Sequence, residues 1–205
     1  TIKKVDHKQV INNKSKQRLN TTNNIQSRNI DDIVKMLALK NQNKNKKDIE
    51  SSQKFLTPDE AINTARDICN KIDSLEKLRE EIEKFEGCYS IKKLANNTVF
   101  GEGNKDADIL IVGEAPGNNE DLQGRPFCGQ SGILLDKMFS AIGYSREDLY
   151  ITNTLFWRPP GNRTPTPEEL AMCKPFVEKH IALIKPKIII MMGSTALRSL
   201  IDTPY

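Results

Sequence analysis

The chain has 205 residues, a formal net charge of +4 and 37% hydrophobic residues, which fits one ordinary domain with an appendage or at most two small domains. A helix that crosses a bilayer needs about 20 apolar residues, and no apolar run in this sequence approaches that length. The sequence also has no signal-peptide hydrophobic core, so it predicts a cytoplasmic protein without a membrane partner. The four cysteines form no C-x-x-C pair. In an intracellular protein of this size they are expected to be free thiols.

The charge is concentrated at the start of the chain. Residues 1–50 carry a net charge of +7, which leaves −3 for residues 51–205. This stretch has nine asparagines, no proline, no glycine and few large apolar residues, which predicts a mostly disordered basic leader over residues 1–55. Within it, residues 31–40 have helical spacing. Two interpretations stay open, a solvated polar tail and an arm that contacts nucleic-acid phosphates.

Two helices are predicted at the start of the remaining domain, residues 56–205. The run Thr57-Pro58-Asp59-Glu60 is a capping box with proline at the first helical position, so a helix begins at Pro58. Ser74 begins a second helix, and Gly87 is expected to cap its end. The pair is interpreted as an αα-hairpin.

From Thr98 onwards strands and helices alternate. The continuous apolar runs are typical of parallel strands that are covered on both faces. The sequence therefore predicts an α/β fold, a three-layer α/β/α sandwich with a central parallel sheet and right-handed crossovers. The predicted strands are 107–113, 149–156 and 186–192, and the predicted helices are 130–142, 167–183 and one that begins at Ser194.

Three loops follow the carboxyl ends of these strands. They are GEAPGNNEDLQGRPF (113–127), TNTLFWRPPGNRTPT (152–166) and MGSTA (192–196). Loops at this edge of a parallel sheet lie side by side and hold the ligands of open α/β proteins. In the first loop, Pro116 and its flanking glycines favour turns that leave backbone N–H groups free. The three loops are expected to line one cleft.

Taken together, the first two loops resemble the bacterial uracil-DNA glycosylases of family 4. The matching segments are GEAPG (113–117), ED (120–121), GRPFCG (124–129), YITN (150–153) and RPPGNRTP (158–165). The resemblance covers about residues 88–205 and excludes the leader. It implies an enzyme of base excision repair that hydrolyses the N-glycosidic bond of uracil in DNA and leaves an abasic site. It also implies uracil-containing DNA as the partner of a monomeric protein.

The resemblance also implies roles for individual residues. A flipped base needs an aromatic plane and a side-chain amide, which Phe127 and Asn153 would supply. Gly113 and Ala115 complete the substrate-binding set; Ala115 stands where better-studied glycosylase families carry an Asp. Bond cleavage leaves positive charge on the sugar, so the acids Glu114 and Glu120 are the catalytic candidates, with no single general base assigned.

Two arginines of the second loop, Arg158 and Arg163, are candidates for contact with DNA phosphates. His180 lies late in a predicted helix, where a cation near the carboxyl end is a better interpretation than a catalytic group.

Family 4 members usually bind a [4Fe-4S] cluster through four cysteines. In this chain Cys88 and Cys173 occupy the first and last ligand places, while Ile91 and Trp157 stand at the other two. The sequence therefore predicts apolar packing in place of the cluster and no cofactor. Cys88 and Cys173 are metal ligands only if a cluster persists.

Length is the largest departure from the family pattern. Family 4 enzymes continue with a further strand and a loop of H-P-x-x-L type, which does not appear before Tyr205. The expectation is a C-terminally truncated chain with weak or no excision activity. The alternative function is a catalytically impaired DNA-binding remnant of the same fold.

Two other classes are disfavoured. A relative that traps DNA covalently needs a histidine and a basic run after the second strand, and residues 156–167 have neither. A dinucleotide-binding domain needs G-x-G-x-x-G after the first strand, which is absent.

Overall fold

The structure is a computed structural model that describes residues 56–201. The predictions for the leader, including the helical spacing over 31–40, lie outside the described residues. None of the described helices is long and apolar enough to span a membrane.

Three helices precede the sheet. Helix α1 (Pro58–Asn70) begins at the predicted capping box, in which Thr57 Oγ1 accepts from the Glu60 N–H and the Glu60 carboxylate accepts from the Thr57 N–H. Helix α2 (Leu75–Lys84) is capped by Ser74, as predicted. A short helix α3 (Tyr89–Lys92) follows. The prediction for Gly87 is wrong, because α2 ends at Lys84 with Phe85 as its cap in extended conformation.

The rest of the domain alternates strands and helices. Strand β1 is followed by β2, two helices, β3, a long helix, β4 and a last short helix. Their bounds are β1 (Glu102–Gly103), β2 (Ile109–Gly113), α4 (Asn118–Gln123), α5 (Gln130–Ser140), β3 (Leu149–Asn153), α6 (Pro167–Ile184), β4 (Ile188–Met191) and α7 (Ser194–Leu200).

The sheet has the order β1-β3-β2-β4. Strands β3, β2 and β4 are parallel, whereas β1 pairs antiparallel with β3 through Glu102↔Ile151 and Gly103↔Tyr150. The sheet is therefore mixed, and the prediction of a parallel sheet is correct only for its three longer strands. The α/β sandwich itself is confirmed.

Alternate side chains of the strands face two apolar layers. On one face, Leu110, Val112 and Tyr150 pack with α1, α2 and α6. On the other, Ile109 and Ile111 pack with Leu135 and Phe139 of α5. Each central strand is thus covered on both sides, which explains why its sequence is continuously apolar instead of alternating.

Part of the second face is exposed. Five large apolar side chains of α5 and the turn after it lie at the surface, as does the first residue of β4. They are Ile133, Leu134, Met138, Ile142, Tyr144 and Ile188. Within the described residues, β4 pairs with β2 on one side only.

His180 is buried inside the helical layer. Its ring stacks on Phe156 with centroids 5.7 Å apart, lies 4.4 Å from the Phe100 ring, and Nδ1 lies 3.1 Å from the Phe176 carbonyl oxygen. Burial lowers its pKa from 6.5 to about 4, with a smaller contribution from Arg79. The prediction of a cation near the helix end is wrong, because a fully buried imidazole is neutral at pH 7.

This buried imidazole predicts acid sensitivity. Between pH 6.5 and 4 the unfolded chain protonates His180 and the folded chain does not, so stability falls as pH drops. From pH 7 to pH 5 this residue alone should remove about 2 kcal/mol from the free energy of unfolding. Urea unfolding at the two pH values should show that His180→Phe removes this part of the loss. An equal loss in the variant and the parent would contradict the prediction.

Candidate functional site

The parallel register of β2 and β3 joins the first two loops. Gly113 pairs with Asn153, so both strands end at the same level. Beyond them the Thr154 N–H donates to the Gly113 carbonyl at 2.9 Å, and the Thr154 hydroxyl donates to the Glu114 carbonyl at 2.6 Å. The backbones of the two loops are therefore fixed against each other.

The missing side chain of Gly113 lets an amide and a ring approach one another. A Cβ at this position would lie 2.4 Å from Asn153 Oδ1 and 2.5 Å from Phe127 Cε2. Since non-bonded carbon atoms separate at about 3.5–4.0 Å, any larger residue at position 113 would displace one of these side chains.

The two loops and the end of β4 enclose a cavity of about 420 Å³. This volume falls in the range of about 300–1,000 Å³ that is usual for small-molecule sites. The lining includes five of the six residues predicted from the sequence to bind substrate or act in catalysis, and only Gly113 of that set is not part of it. The lining residues are Glu114, Ala115, Gly117, Glu120, Phe127, Ser131, Asn153 and Met192.

Two polar side chains of the cavity have no protein partner. Among the described residues, nothing forms a hydrogen bond with the side chain of Asn153 or of Glu114, although Asn153 is only 2% exposed. A buried amide without a partner is unfavourable unless a ligand or water completes it. The Asn153 amide is therefore available to pair with a polar ligand that enters the cavity.

The other two acids of the first loop have structural partners. Glu120 Oε1 accepts from the Gly129 N–H at 2.7 Å, at the start of α5, while its second oxygen lies next to Gly117. Asp121 is buried and accepts from the backbone N–H groups of Asn96 and Asn97 and from the Asn96 side chain. Glu120 thus lines the cavity and caps a helix at once.

The two arginines of the second loop differ in their surroundings. Arg158 donates to the side chains of Asn118 at 2.9 Å and Asn162 at 2.6 Å, so it connects the second loop to the start of α4. Arg163 forms two bonds to the Glu169 carboxylate, at 2.8 and 2.5 Å. Burial would raise the pKa of Glu169, but the hydrogen bonds from Arg163 and from the Thr166 N–H together outweigh it and lower that pKa.

Cys88 and Cys173, the two cysteines at ligand positions of the family pattern, lie together in the apolar core. The sulfur atoms of Cys88 and Cys173 are 3.7 Å apart and share a hydrogen bond, which with burial raises the pKa of the Cys173 thiol. Ile91 and Trp157 are buried in the same core, and Trp157 Nε1 donates to Thr98 Oγ1 at 2.9 Å. In residues 56–201 no three His, Cys, Asp or Glu side chains are grouped to hold a metal. These residues do not fit a cluster with four thiolate ligands.

A second cavity, of about 440 Å³, lies beside α6 and α7. Its lining includes Thr164, Leu170, Lys174, Thr195 and Arg198. It contains neither a carboxylate nor an aromatic ring, and none of the site residues predicted from the sequence lines it. The candidate site is therefore assigned to the cavity at the strand ends.

Three contributors to this region are not among the individual site residues predicted from the sequence. Ser131 and Met192 line the cavity, and Arg146 contacts the backbone of Phe127. Met192 was accessible from the sequence, since it ends the predicted strand 186–192 and begins the third loop, 192–196. Ser131 and Arg146 lie outside every strand-end loop, so only the folded chain shows their position.

The fold and the site define an α/β sandwich protein with a ligand cavity at the carboxyl ends of its parallel strands. A sequence model of the Uracil DNA glycosylase superfamily matches residues 100–203, about half of the chain. The chain belongs to the uracil-DNA glycosylase superfamily.

Three relatives illustrate the similarity. The Type-4 uracil-DNA glycosylase of Thermotoga maritima is 44% identical over 128 residues, 62% of this chain and 66% of the relative. That of Archaeoglobus fulgidus is 45% identical over 125 residues, 61% and 62% of the two chains. That of Saccharolobus solfataricus is 44% identical over 123 residues, 60% and 56%. The chain thus spans 56 to 66% of the length of these relatives.

The hydrogen bond from Trp157 to Thr98 leads to a prediction about stability that can be measured. Thr98→Val leaves the indole N–H without its acceptor, which should lower the free energy of unfolding by about 1–3 kcal/mol. Thr98→Ser keeps the hydroxyl and is the matched control. Because Trp157 is the only tryptophan of the chain, its fluorescence during urea unfolding reports on this site directly. Equal stability of the Val and Ser variants would show that the bond contributes nothing.

Proposed function

We propose that this chain excises uracil from DNA by hydrolysis of the N-glycosidic bond, as a glycosylase of base excision repair. The observation that supports this most strongly is the joint placement of Phe127, Asn153 and Glu114 around one cavity. A ring, an amide without a partner and a carboxylate are the groups that a glycosylase needs for a flipped pyrimidine. The names of the relatives support the same reaction.

The ring and the amide account for base recognition. An enzyme that cuts a base from its sugar extrudes the nucleotide and holds it in a pocket. The Phe127 ring offers a stacking surface, and the Asn153 amide pairs with a carbonyl and an imide N–H at once. Gly113 and Ala115 add little bulk, so the base can approach the loop backbone closely.

The carboxylates are proposed to stabilise the positive charge that develops on the sugar during cleavage. As the bond breaks, the sugar becomes positive and the uracil negative. The Glu114 carboxylate has no hydrogen-bond partner in the described chain and is assigned to stabilise the sugar cation or to orient the attacking water. Glu120 is held by the Gly129 N–H, so its proposed role is to fix the loop and the electrostatic field at the cavity.

The proposed DNA contact runs along the second loop. Arg158 lies close to the first loop through Asn118, where a phosphate beside a flipped nucleotide would pass. Arg163 is proposed to meet the backbone further along, although its pairing with Glu169 offsets part of its charge. Phosphate contacts of this kind position the protein without reading sequence.

The cavity is proposed to act without a metal cofactor. The free thiols of Cys88 and Cys173 share a hydrogen bond, and the apolar Ile91 and the indole of Trp157 fill the two other places of the family pattern. A cluster would supply a covalent link between these segments. In this chain apolar packing and the hydrogen bond from Trp157 to Thr98 are proposed to hold these segments together without a covalent link.

Iron content tests this part of the proposal. Protein purified anaerobically should be colourless and contain no stoichiometric iron. The double variant Ile91→Cys/Trp157→Cys, reconstituted with iron and sulfide, should acquire visible absorbance, because it offers four thiolates. The single variant Ile91→Cys is the control and should remain colourless. Stoichiometric iron in the parent protein would overturn the proposal.

Excision is tested with a labelled oligonucleotide that carries one deoxyuridine, followed by alkaline cleavage of abasic sites. Asn153→Ala and Phe127→Ala should each lower the excision rate about 10- to 100-fold, since base pairing by an amide and base stacking are each worth about 1–3 kcal/mol. Leu122→Ala, at an exposed position on α4 outside the cavity, is the matched control.

Three outcomes are distinguished. Excision that falls in both cavity variants and not in Leu122→Ala supports the proposal. Tighter binding of the deoxyuridine oligonucleotide than of a thymidine oligonucleotide, without excision, would favour a DNA-binding module instead. Excision that is unchanged in both cavity variants would remove the cavity from the reaction.

A further inference from the structure

The side chain of Arg146 holds the backbone next to the cavity. Arg146 lies in a turn just before β3, and its Nη1 donates to the Phe127 carbonyl at 2.9 Å. Its Nη2 donates to the carbonyl of Pro126. Both carbonyls belong to the segment that presents the Phe127 ring. One guanidinium thus bonds two consecutive peptide groups of the first loop.

Two carboxylates hold this guanidinium in place. Arg146 Nε donates to Glu102 at 2.5 Å, and Nη1 also donates to Asp136 at 3.0 Å. Burial would raise the pKa of Glu102, but the hydrogen bonds from Arg125 and Arg146 outweigh it and lower that pKa. The guanidinium therefore donates to four acceptors, two backbone carbonyls and two carboxylates. A lysine ammonium, with three N–H bonds on one nitrogen, cannot serve all four.

The backbone of Phe127 needs such support. Phe127 has φ of 49°, in the left-handed region that costs free energy for a residue with a side chain. The Phe127 carbonyl also packs directly against Gly132, since a Cβ at position 132 would be 1.7 Å from the Phe127 oxygen. A glycine at 127 would adopt this conformation more easily. The strained conformation persists because surrounding contacts fix it, and it directs the ring into the cavity.

We propose that Arg146 is a positioning residue, which sets the plane of the Phe127 ring against the base through the Pro126 and Phe127 carbonyls. This inference rests on the proposed function, because the ring matters only if a base stacks on it. Arg146 itself does not line the cavity, so its effect on the reaction passes entirely through Phe127.

A double-mutant cycle separates this role from general stability. Arg146→Met should lower the excision rate about tenfold in the parent protein, the loss expected for a charged hydrogen bond. In the Phe127→Ala background the same substitution should change the rate less than twofold, because no ring is left to position. Affinity for the deoxyuridine oligonucleotide is measured in parallel and should show the same lack of additivity.

Three further variants sharpen the cycle. Arg125→Met is the matched control, because Arg125 also pairs with Glu102 but its side chain is 56% exposed and contacts neither carbonyl. It should leave the rate unchanged. Gly132→Ala shifts the Phe127 backbone while Arg146 remains, and should reproduce the loss. Arg146→Lys retains the charge but has one donor nitrogen in place of three, so it should recover part of the rate.

The outcomes are separable. Equal losses for Arg146→Met in the parent and Phe127→Ala backgrounds would overturn the inference and assign Arg146 to stability alone. If Arg146→Met does not fold, Arg146→Lys and Gly132→Ala are put through the same cycle. Unchanged excision and affinity in Phe127→Ala and Asn153→Ala would defeat the proposed function, whereas an additive cycle with those variants impaired defeats only the role of Arg146.

Discussion

The parallel register between β2 and β3 is the constraint on which the site depends. Because Gly113 pairs with Asn153, both strands end together, and the backbone hydrogen bonds continue into the two loops. A shift of one residue would turn every side chain of one strand to the opposite face. Asn153 would then point into an apolar layer, and the ring of Phe127 would face no amide. The relative placement of the polar and aromatic side chains of the cavity is therefore fixed by strand pairing.

Much of the fold is predictable because local chemistry and global packing agree. The capping box at Thr57 and the apolar runs of β2 and β3 confirm this. Strand β1 was missed because it has two residues and no apolar pattern, so it exists only through its pairing with β3. Gly87 does not cap α2 because that helix ends earlier, at Lys84, with Phe85 as its cap. A buried neutral His180 was equally hidden, since periodicity does not report what packs around a ring.

The site was predictable to the extent that its residues follow strands. Strand ends indicated the cavity with Phe127 and Asn153, and the structure places both there. Arg146 could not be found in this way, because its hydrogen bonds to this loop go to backbone carbonyls, which leave no trace in side-chain patterns. The replacement of two cysteines by Ile91 and Trp157 became visible only through the family resemblance. The packing of Ile91 and Trp157 could not be predicted, because the identity of an apolar residue at a ligand position does not reveal which residues it contacts.

The exposed apolar residues of α5 and β4 have a practical consequence for handling the protein. Within the described chain β4 offers one free row of backbone donors and acceptors next to uncharged isoleucine and methionine side chains. Such an edge accepts a strand from another molecule, and attraction between apolar surfaces strengthens on warming from low temperature. Purified samples are therefore best kept cold and dilute, and light scattering should accompany every titration, so that colloidal association is not mistaken for ligand binding.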